Sequence, residues 1–409
     1  MKRSVAIATF GCKLNQYESQ LMMESLSSDY EIRAFNQYCD IYIINSCAVT
    51  SKAAKESRNA AKAALKRNPD AMVFYTGCDV YIEERLPDNV YLIGNSYKNN
   101  IKAAIENRIN DISEDTKNYP LYTKINKFRG KNRAFVKIQE GCNNHCTYCI
   151  IPRLRGHGRD KSKHLILEEI KGLINSGFEE IVLCGTDIGS YKHLKGLLRE
   201  IDKSNLSARI RISSIEPMYV DRELIDIITS GNFARHLHMP LQSGSDKILR
   251  LMARNYKCRD YERIVDYASK KGIFVGTDII VGFYGEDRSA FEETYNFVES
   301  LPLAYGHIFS YSKRDYTPAV NLKIGLERGP IVAGRNRLLK ELFKDKLKHR
   351  MKNFIGHTTD IVVEDTQVKI NNKTFYKAIA SEYFPVLVKD KVKRSVFEIK
   401  KFDGEYAYI

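Results

Sequence analysis

Glu140-Gly-Cys-Asn-Asn-His-Cys-Thr-Tyr-Cys-Ile-Ile-Pro152 places three cysteines, Cys142, Cys146 and Cys149, within eight residues. Thiolates this close on one loop can hold three corners of a cubane iron–sulfur cluster, and no fourth cysteine stands nearby for the last iron. An iron with an open position binds an outside ligand and passes it an electron. Closed zinc and electron-transfer sites normally use four protein ligands. The alternative, a zinc knuckle, lacks its usual second Cys-x2-Cys or His pair here.

The run leading into this loop, 134–139, is the first of six apolar strand candidates separated by helical patterns. The others are 180–184, 209–213, 236–240, 274–281 and 306–311. Six βα units predict a parallel barrel or open partial barrel, whose chemistry sits on the loops after the strands. The cysteine loop falls there, as do Gly185-Thr-Asp-Ile-Gly189, Ser213-Ser-Ile-Glu-Pro217, Gln242-Ser-Gly-Ser-Asp246 and Gly282-Phe-Tyr-Gly-Glu286.

Upstream, one event occurs three times. Apolar runs 5–10, 41–44 and 72–76 end at Cys12, Cys47 and Cys78, and helical stretches 15–26 and 50–67 follow the first two. Alternation of this kind implies a parallel sheet with its ligand crevice at the strands' carboxyl ends. The fold would therefore gather these three distant cysteines at one edge, as a second three-thiolate site or as three small buried side chains. The remaining cysteines, Cys39, Cys184 and Cys258, have no partners of suitable spacing.

The organisation expected is 1–110, an α/β domain; 111–133, a polar linker; 134–333, the barrel; and 334–409, a basic helix (334–352) followed by five short strands. These strands (359–364, 375–380, 384–389, 395–400 and 405–409) predict a small antiparallel β-barrel, a shape often used on nucleic acid. Interleaved Tyr376, Lys377, Tyr383, Lys389, Lys391, Lys393 and Arg394 could hold phosphates and stack bases, or could be ordinary edge lysines.

The formal charge of +15 over 409 residues favours a polyanionic partner. Lys52, Lys55, Arg58, Lys62 and Lys66 recur on one helix face after Cys47, either as a solvated face or as an RNA contact. Arg153, Arg155 and Arg159, just beyond the cysteine loop, are stronger candidates for RNA phosphates. No apolar run approaches the ~18 residues needed to span a bilayer. The short apolar start reads as a strand, not a signal peptide. A cytoplasmic protein without membrane contact is expected, its nine cysteines fitting a reducing compartment.

Taken together, the chain resembles the methylthiotransferases of the radical S-adenosylmethionine (SAM) superfamily, over nearly its full length. The resemblance is carried by Gly11-Cys12-Lys13-Leu14-Asn15, Asn45-Ser46-Cys47-Ala48-Val49-Thr50, Thr76-Gly77-Cys78, 141–155 and Leu241-Gln-Ser-Gly-Ser245. Gly-Cys-Lys-x-Asn-x-Tyr-Glu, here 11–18, is similar to the branch acting on N6-threonylcarbamoyladenosine at position 37 of tRNA. Other branches act on isopentenyladenosine or on a ribosomal protein aspartate; a metal-stabilised RNA-binding protein is the non-enzymatic alternative.

The resemblance implies an amino-terminal auxiliary-cluster domain, a radical SAM partial barrel and a carboxyl-terminal TRAM domain. It implies two [4Fe–4S] clusters. Cys142, Cys146 and Cys149 would hold the one that cleaves SAM to a 5′-deoxyadenosyl radical, and Cys12, Cys47 and Cys78 the one carrying the sulfur. Implied partners are tRNA and an electron donor such as flavodoxin or ferredoxin. Tyr148 would pack near SAM's adenine or shield the cluster, while Ser214, Glu216, Gln242 and Ser243 would bind its polar groups. Glu216 reads equally as a structural carboxylate. Asp187 and Tyr284 depart from the family pattern, and Tyr284 loses the rigid φ of a proline.

Overall fold

A computed structural model describes residues 2–82, 86–113, 117, 119–128, 132–327 and 329–409. The first sheet contains β1 (Ser4–Thr9), β2 (Glu31–Ile32), β3 (Ile41–Ser46), β4 (Met72–Gly77) and β5 (Val90–Leu92). Its order is β2-β1-β3-β4-β5, all parallel. Strand β3 is buried throughout because α1 (Lys13–Leu26) and α2 (Ser51–Arg67) pack on the sheet, which explains its unbroken apolar run. Helix α3 (Ile101–Glu106) completes this part.

Six further parallel strands form the arc of a partial barrel. They are β6 (Arg133–Lys137), β9 (Glu180–Cys184), β10 (Arg209–Ile212), β11 (His236–His238), β12 (Phe274–Val281) and β13 (Tyr305–Ser310). They group as β10-β9-β6 and β11-β12-β13, joined by a parallel bridge between Ile210 and Phe233. A short hairpin of β7 (Gln139–Glu140) and β8 (Arg159–Asp160) brackets the cysteine loop and α4 (Ile151–Arg155). Helices α5 (Lys163–Asn175), α6 (Leu194–Lys203), α7 (Arg222–Ser230), α8 (Asp246–Leu251), α9 (Cys258–Lys270) and α10 (Arg288–Ser300) connect the strands.

The polar stretch expected to be a linker is instead a packed strap at the seam between the two sheets. Tyr119, Leu121, Ile125 and Phe128 are buried, and the Ile125 N–H donates to Glu169 Oε1 at 2.8 Å. Residues 114–116, 118 and 129–131 of that stretch lie outside the described residues.

Helix α11 (Gly329–Phe354) leads to β14 (Thr358–Ile370), β15 (Lys373–Ala380), β16 (Pro385–Val388), β17 (Ser395–Glu398), β18 (Lys401–Phe402) and β19 (Ala407–Tyr408). These pair in the order β17-β14-β15-β16-β19-β18. The sheet is antiparallel except for one parallel pair, β16 with β19, and it has six strands where the sequence suggested five. It closes the amino-terminal end of the barrel, opposite the cysteine loops. Glu180, at the start of β9, accepts bonds from Arg209 and Arg211, whose guanidinia also donate to the Asp360, Ala380 and Ser381 carbonyls. Phe274, at the start of β12, packs on Phe354 and Phe384. Tyr383 and Arg394 face this interface: Tyr383 stacks on His236 at 4.5 Å, and Arg394 pairs with Asp360. Two of the residues suggested for nucleic acid are thus interface contacts.

Candidate functional site

The 142–149 loop hangs entirely from the barrel. Gly141 has φ +78°, and a Cβ there would stand 1.9 Å from the His157 carbonyl oxygen, so this tight passage requires glycine. The Cys142 N–H donates to the Gly156 carbonyl, and the Thr147 N–H and hydroxyl donate to the Met252 and Leu251 carbonyls. Burial pushes the Cys142 thiol up to about 11 and the Cys149 thiol up to about 12. Arg254 supplies positive charge: its Nη1 donates to Cys146 Sγ at 3.1 Å and to the Tyr148 hydroxyl at 3.3 Å, and Glu216 pairs with its Nη2.

The second trio stands at the carboxyl ends of β1, β3 and β4. Gly11, with φ +86°, brings the chain so close that a Cβ would lie 2.5 Å from Cys47 Sγ. The Cys47 N–H donates to the Ser57 hydroxyl and the Cys78 N–H to the Ser46 carbonyl. Asn15 ties these loops together through the Phe10 and Ser46 carbonyls. Cys47 and Cys78 are buried while Cys12 is exposed, and burial lifts the Cys47 thiol to about 12.

Arg155 reaches the second trio from the segment that carries the first. It ends α4, six residues after Cys149, and its Nε donates to Cys78 Sγ at 3.3 Å. Its Nη1 donates to Glu18 and Glu140, each at 2.8 Å, one carboxylate from each side of the seam. Lys98 and Lys137 complete the cluster, at 2.5 Å from Glu18 and 2.8 Å from Glu140. Burial alone would raise both carboxyls; Arg155, Lys98 and Lys137 instead hold Glu18 well below the usual range, and Lys137 and Arg155 hold Glu140 below it. Arg155 is therefore not a phosphate contact. Its side chain is 2% exposed, and every face of the guanidinium is committed.

Other expected residues divide similarly. Tyr148 packs edge-on against Phe283, with Tyr284 in the same apolar cluster. Glu216 is held by Arg254, and Ser214 is exposed on the same loop. Gln242 adopts φ +67° and pairs with β12 through its backbone, its N–H donating to the Asp278 carbonyl. Ser243 does not face the cleft; it is fully buried, and its hydroxyl meets that of Thr294 at 3.2 Å. Asp187 accepts from Asn144 Nδ2 at 2.8 Å and lies 3.8 Å from Cys142 Sγ; burial, then Glu216, raises its carboxyl to about 6.

Arg58 turns out to be a strut, bonded to Asp79 at 2.9 Å with a 13% exposed side chain. Lys52, Lys55, Lys62 and Lys66 on the same helix are exposed. Arg153 is exposed, its guanidinium 3.9 Å above the Tyr316 ring, and Arg159 is half-buried against Tyr119.

Sequence reading missed Arg254 and a polar group in the barrel lumen. An arginine following the apolar turn Leu251-Met252-Ala253 was the available signal for the first. In the lumen, His238 Nε2 lies 2.9 Å from Asp278 Oδ1 and its Nδ1 3.0 Å from the Tyr305 hydroxyl, with His307 beside them. One-letter alternation along β11, β12 and β13 puts these side chains on one face.

Among the described residues no helix is long and apolar enough to cross a membrane. Residues 136–298 match the radical SAM superfamily, and residues 4–89 match the uncharacterized protein family UPF0004. The threonylcarbamoyladenosine tRNA methylthiotransferase MtaB of Aquifex aeolicus is 35% identical over 90% of this chain and 95% of its own. MtaB of Bacillus subtilis is 31% identical over 99% and 95%. The fold is similar to that of the radical SAM methyltransferase TsrM from Kitasatospora setae, with TM-score 0.59 at 15% identity, covering 78% of this chain and 77% of that one. The chain belongs to the radical SAM methylthiotransferase family.

Proposed function

We propose that this enzyme methylthiolates C2 of N6-threonylcarbamoyladenosine at position 37 of tRNA. The observation that carries the reading is the pair of cysteine trios on either side of one seam, across which Arg155, six residues after Cys149, reaches Cys78 and Glu18. This occurs in a chain that aligns almost end to end with two MtaB proteins. In this reading residues 1–110 carry the auxiliary cluster, 134–333 form the radical SAM core, and 334–409 form a TRAM-like domain. Cys142, Cys146 and Cys149 would hold one [4Fe–4S] cluster, and Cys12, Cys47 and Cys78 the other. The thiol donor set fits. A tetrahedral zinc would draw its sulfurs to about 3.8 Å of one another, from Zn–S bonds of ~2.3 Å. Among the described residues neither trio gathers within 4.8 Å.

When bound, the clusters and SAM supply the electron, the radical, the methyl group and the sulfur. The protein's residues do the rest. Arg254 and Arg155 donate to cysteine sulfurs, and such charge-assisted bonds favour thiolate over thiol. Tyr148 and Phe283 give an apolar wall beside the first trio, which excludes water. Exposed Arg153 on α4, and Lys52 and Lys55 in the first turns of α2, follow closely in the chain after Cys149 and Cys47, where tRNA phosphates would approach. The reading places the enzyme in the cytoplasm with an electron donor such as flavodoxin or ferredoxin.

Mass spectrometry of tRNA nucleosides from cells lacking the gene tests the proposal. The 2-methylthio form of threonylcarbamoyladenosine should vanish while its unthiolated precursor accumulates. Loss of a methylthiolated isopentenyladenosine or ribosomal aspartate instead would reject it. Changing Lys52 and Lys55 to Gln should lower the slope of log affinity for tRNA against log salt by about 1.5, at 0.7–0.9 per phosphate contact. Bound iron should not change. An unaltered slope would return this face to ordinary solvated surface.

A further inference from the structure

Lys13 follows Cys12 directly and opens α1, so one peptide bond fixes it beside the second trio. It is half-buried, and among the described residues no carboxylate lies within 4.0 Å of its ammonium. That sets it apart from the buried lysines Lys98, Lys137 and Lys161, which meet Glu18, Glu140 and Glu169 at 2.5, 2.8 and 2.6 Å. A half-desolvated cation without a counter-ion is unfavourable unless an anion arrives to meet it.

Its surroundings show which way it faces. Leu14 and Tyr17, the next core positions of α1, pack in the barrel's own core with Cys184 at the end of β9. The charge of Lys13 acts on that thiol, and on His236 and His307 in the lumen, where burial and neighbouring cations lower the imidazoles. The cations acting most on Cys47 and Cys78 are Arg155 and Lys98 instead. The lumen carboxylate Asp278 is held by His238. Lys13 therefore brings positive charge without a carboxylate partner to the barrel side of α1, one residue from Cys12.

We propose that Lys13 is the counter-ion for the carboxylate of the substrate's N6-threonylcarbamoyl group, and so distinguishes this nucleoside from adenosines lacking an anionic substituent. The inference rests on the substrate reading above and goes beyond it by naming the residue that reads the group. The threonyl carboxylate is the only anion on the modified base, and a cation placed in a low-dielectric cleft gains most from meeting it.

The test is equilibrium binding of cluster-loaded enzyme to three forms of one tRNA: threonylcarbamoylated at position 37, unmodified there, and threonylcarbamoylated with the carboxylate masked as a methyl ester. Wild-type enzyme should favour the first over the other two by about tenfold or more. Lys13→Met should bring the three affinities together by weakening only the first, and Lys13→Arg should restore most of the preference. Iron and sulfide content should stay constant across the variants. The inference fails if Lys13→Met keeps the preference, weakens all three tRNAs equally, or loses iron. A wild-type enzyme indifferent to the threonylcarbamoyl group would overturn the substrate reading itself, and the inference with it.

Discussion

Replacing Cys142, Cys146 or Cys149 by Ala is expected to reduce SAM cleavage to background. Replacing Cys12, Cys47 or Cys78 should leave cleavage in place and stop sulfur insertion. Anaerobically reconstituted wild-type enzyme should hold about eight irons with matching sulfide, and each variant about four. The two sets separate because their backbone anchors differ, Arg155 Nε to Cys78 Sγ being the tie across the seam. The 142–149 loop is anchored by Met252, Leu251, Gly156 and Ala319, all in or attached to the barrel. The other trio is positioned by Asn15, Ser46 and Ser57 of the first sheet and its helices. Loss of one cysteine side chain from either trio therefore leaves these backbone anchors of the other in place. Two paired measurements check this: 5′-deoxyadenosine formed per enzyme, and methylthiolated nucleoside formed in the same reaction. Continued multiple-turnover product formation in a Cys12, Cys47 or Cys78 variant would end the two-cluster assignment. Iron near four in the wild type would do the same.

Most of the scaffold that positions these cysteines was legible in the sequence, because buried parallel strands announce themselves as apolar runs. Strands β9 and β12 fall where 180–184 and 274–281 were expected. The convergence of Cys12, Cys47 and Cys78 followed from strand–helix alternation alone. What could not be read was the fate of charges. Arg153, Arg155 and Arg159 look alike in sequence, yet α4 turns the first to solvent and the second into the seam, while β8 sets the third against Tyr119. Arg58 and Lys55 sit on one helix, but Asp79, 21 residues on, captures only Arg58. The strap at 119–128 misled for a related reason. Its few apolar residues have no periodicity of their own, since they pack individually into two sheets formed elsewhere. Partner choice across a domain seam is a property of the assembled fold, and a local pattern carries little of it.

That difference between neighbouring arginines sets the second large effect. Arg155→Met should destabilise the chain by about 3 kcal/mol, the lower end of the cost of breaking a buried ion pair. Lys98 and Lys137 still face the orphaned Glu18 and Glu140, at 2.5 and 2.8 Å, so the carboxylates are not left wholly bare. The loss should appear as a lower urea midpoint, and as iron lost from the site containing Cys78, whose sulfur receives the Arg155 Nε–H. Arg155→Lys keeps a charge but cannot reach Cys78, Glu18, Glu140 and Asn15 with one ammonium, so it should recover only part of the stability. Arg153→Met is the companion measurement. That guanidinium is exposed over Tyr316, so its removal should weaken tRNA binding and leave the urea midpoint and iron content unchanged. If Arg155→Met behaved in the same way, with RNA affinity lost and stability and iron intact, the guanidinium would be serving RNA, and the seam between the two cysteine sites would have to be held by the remaining pairs and the packed strap alone.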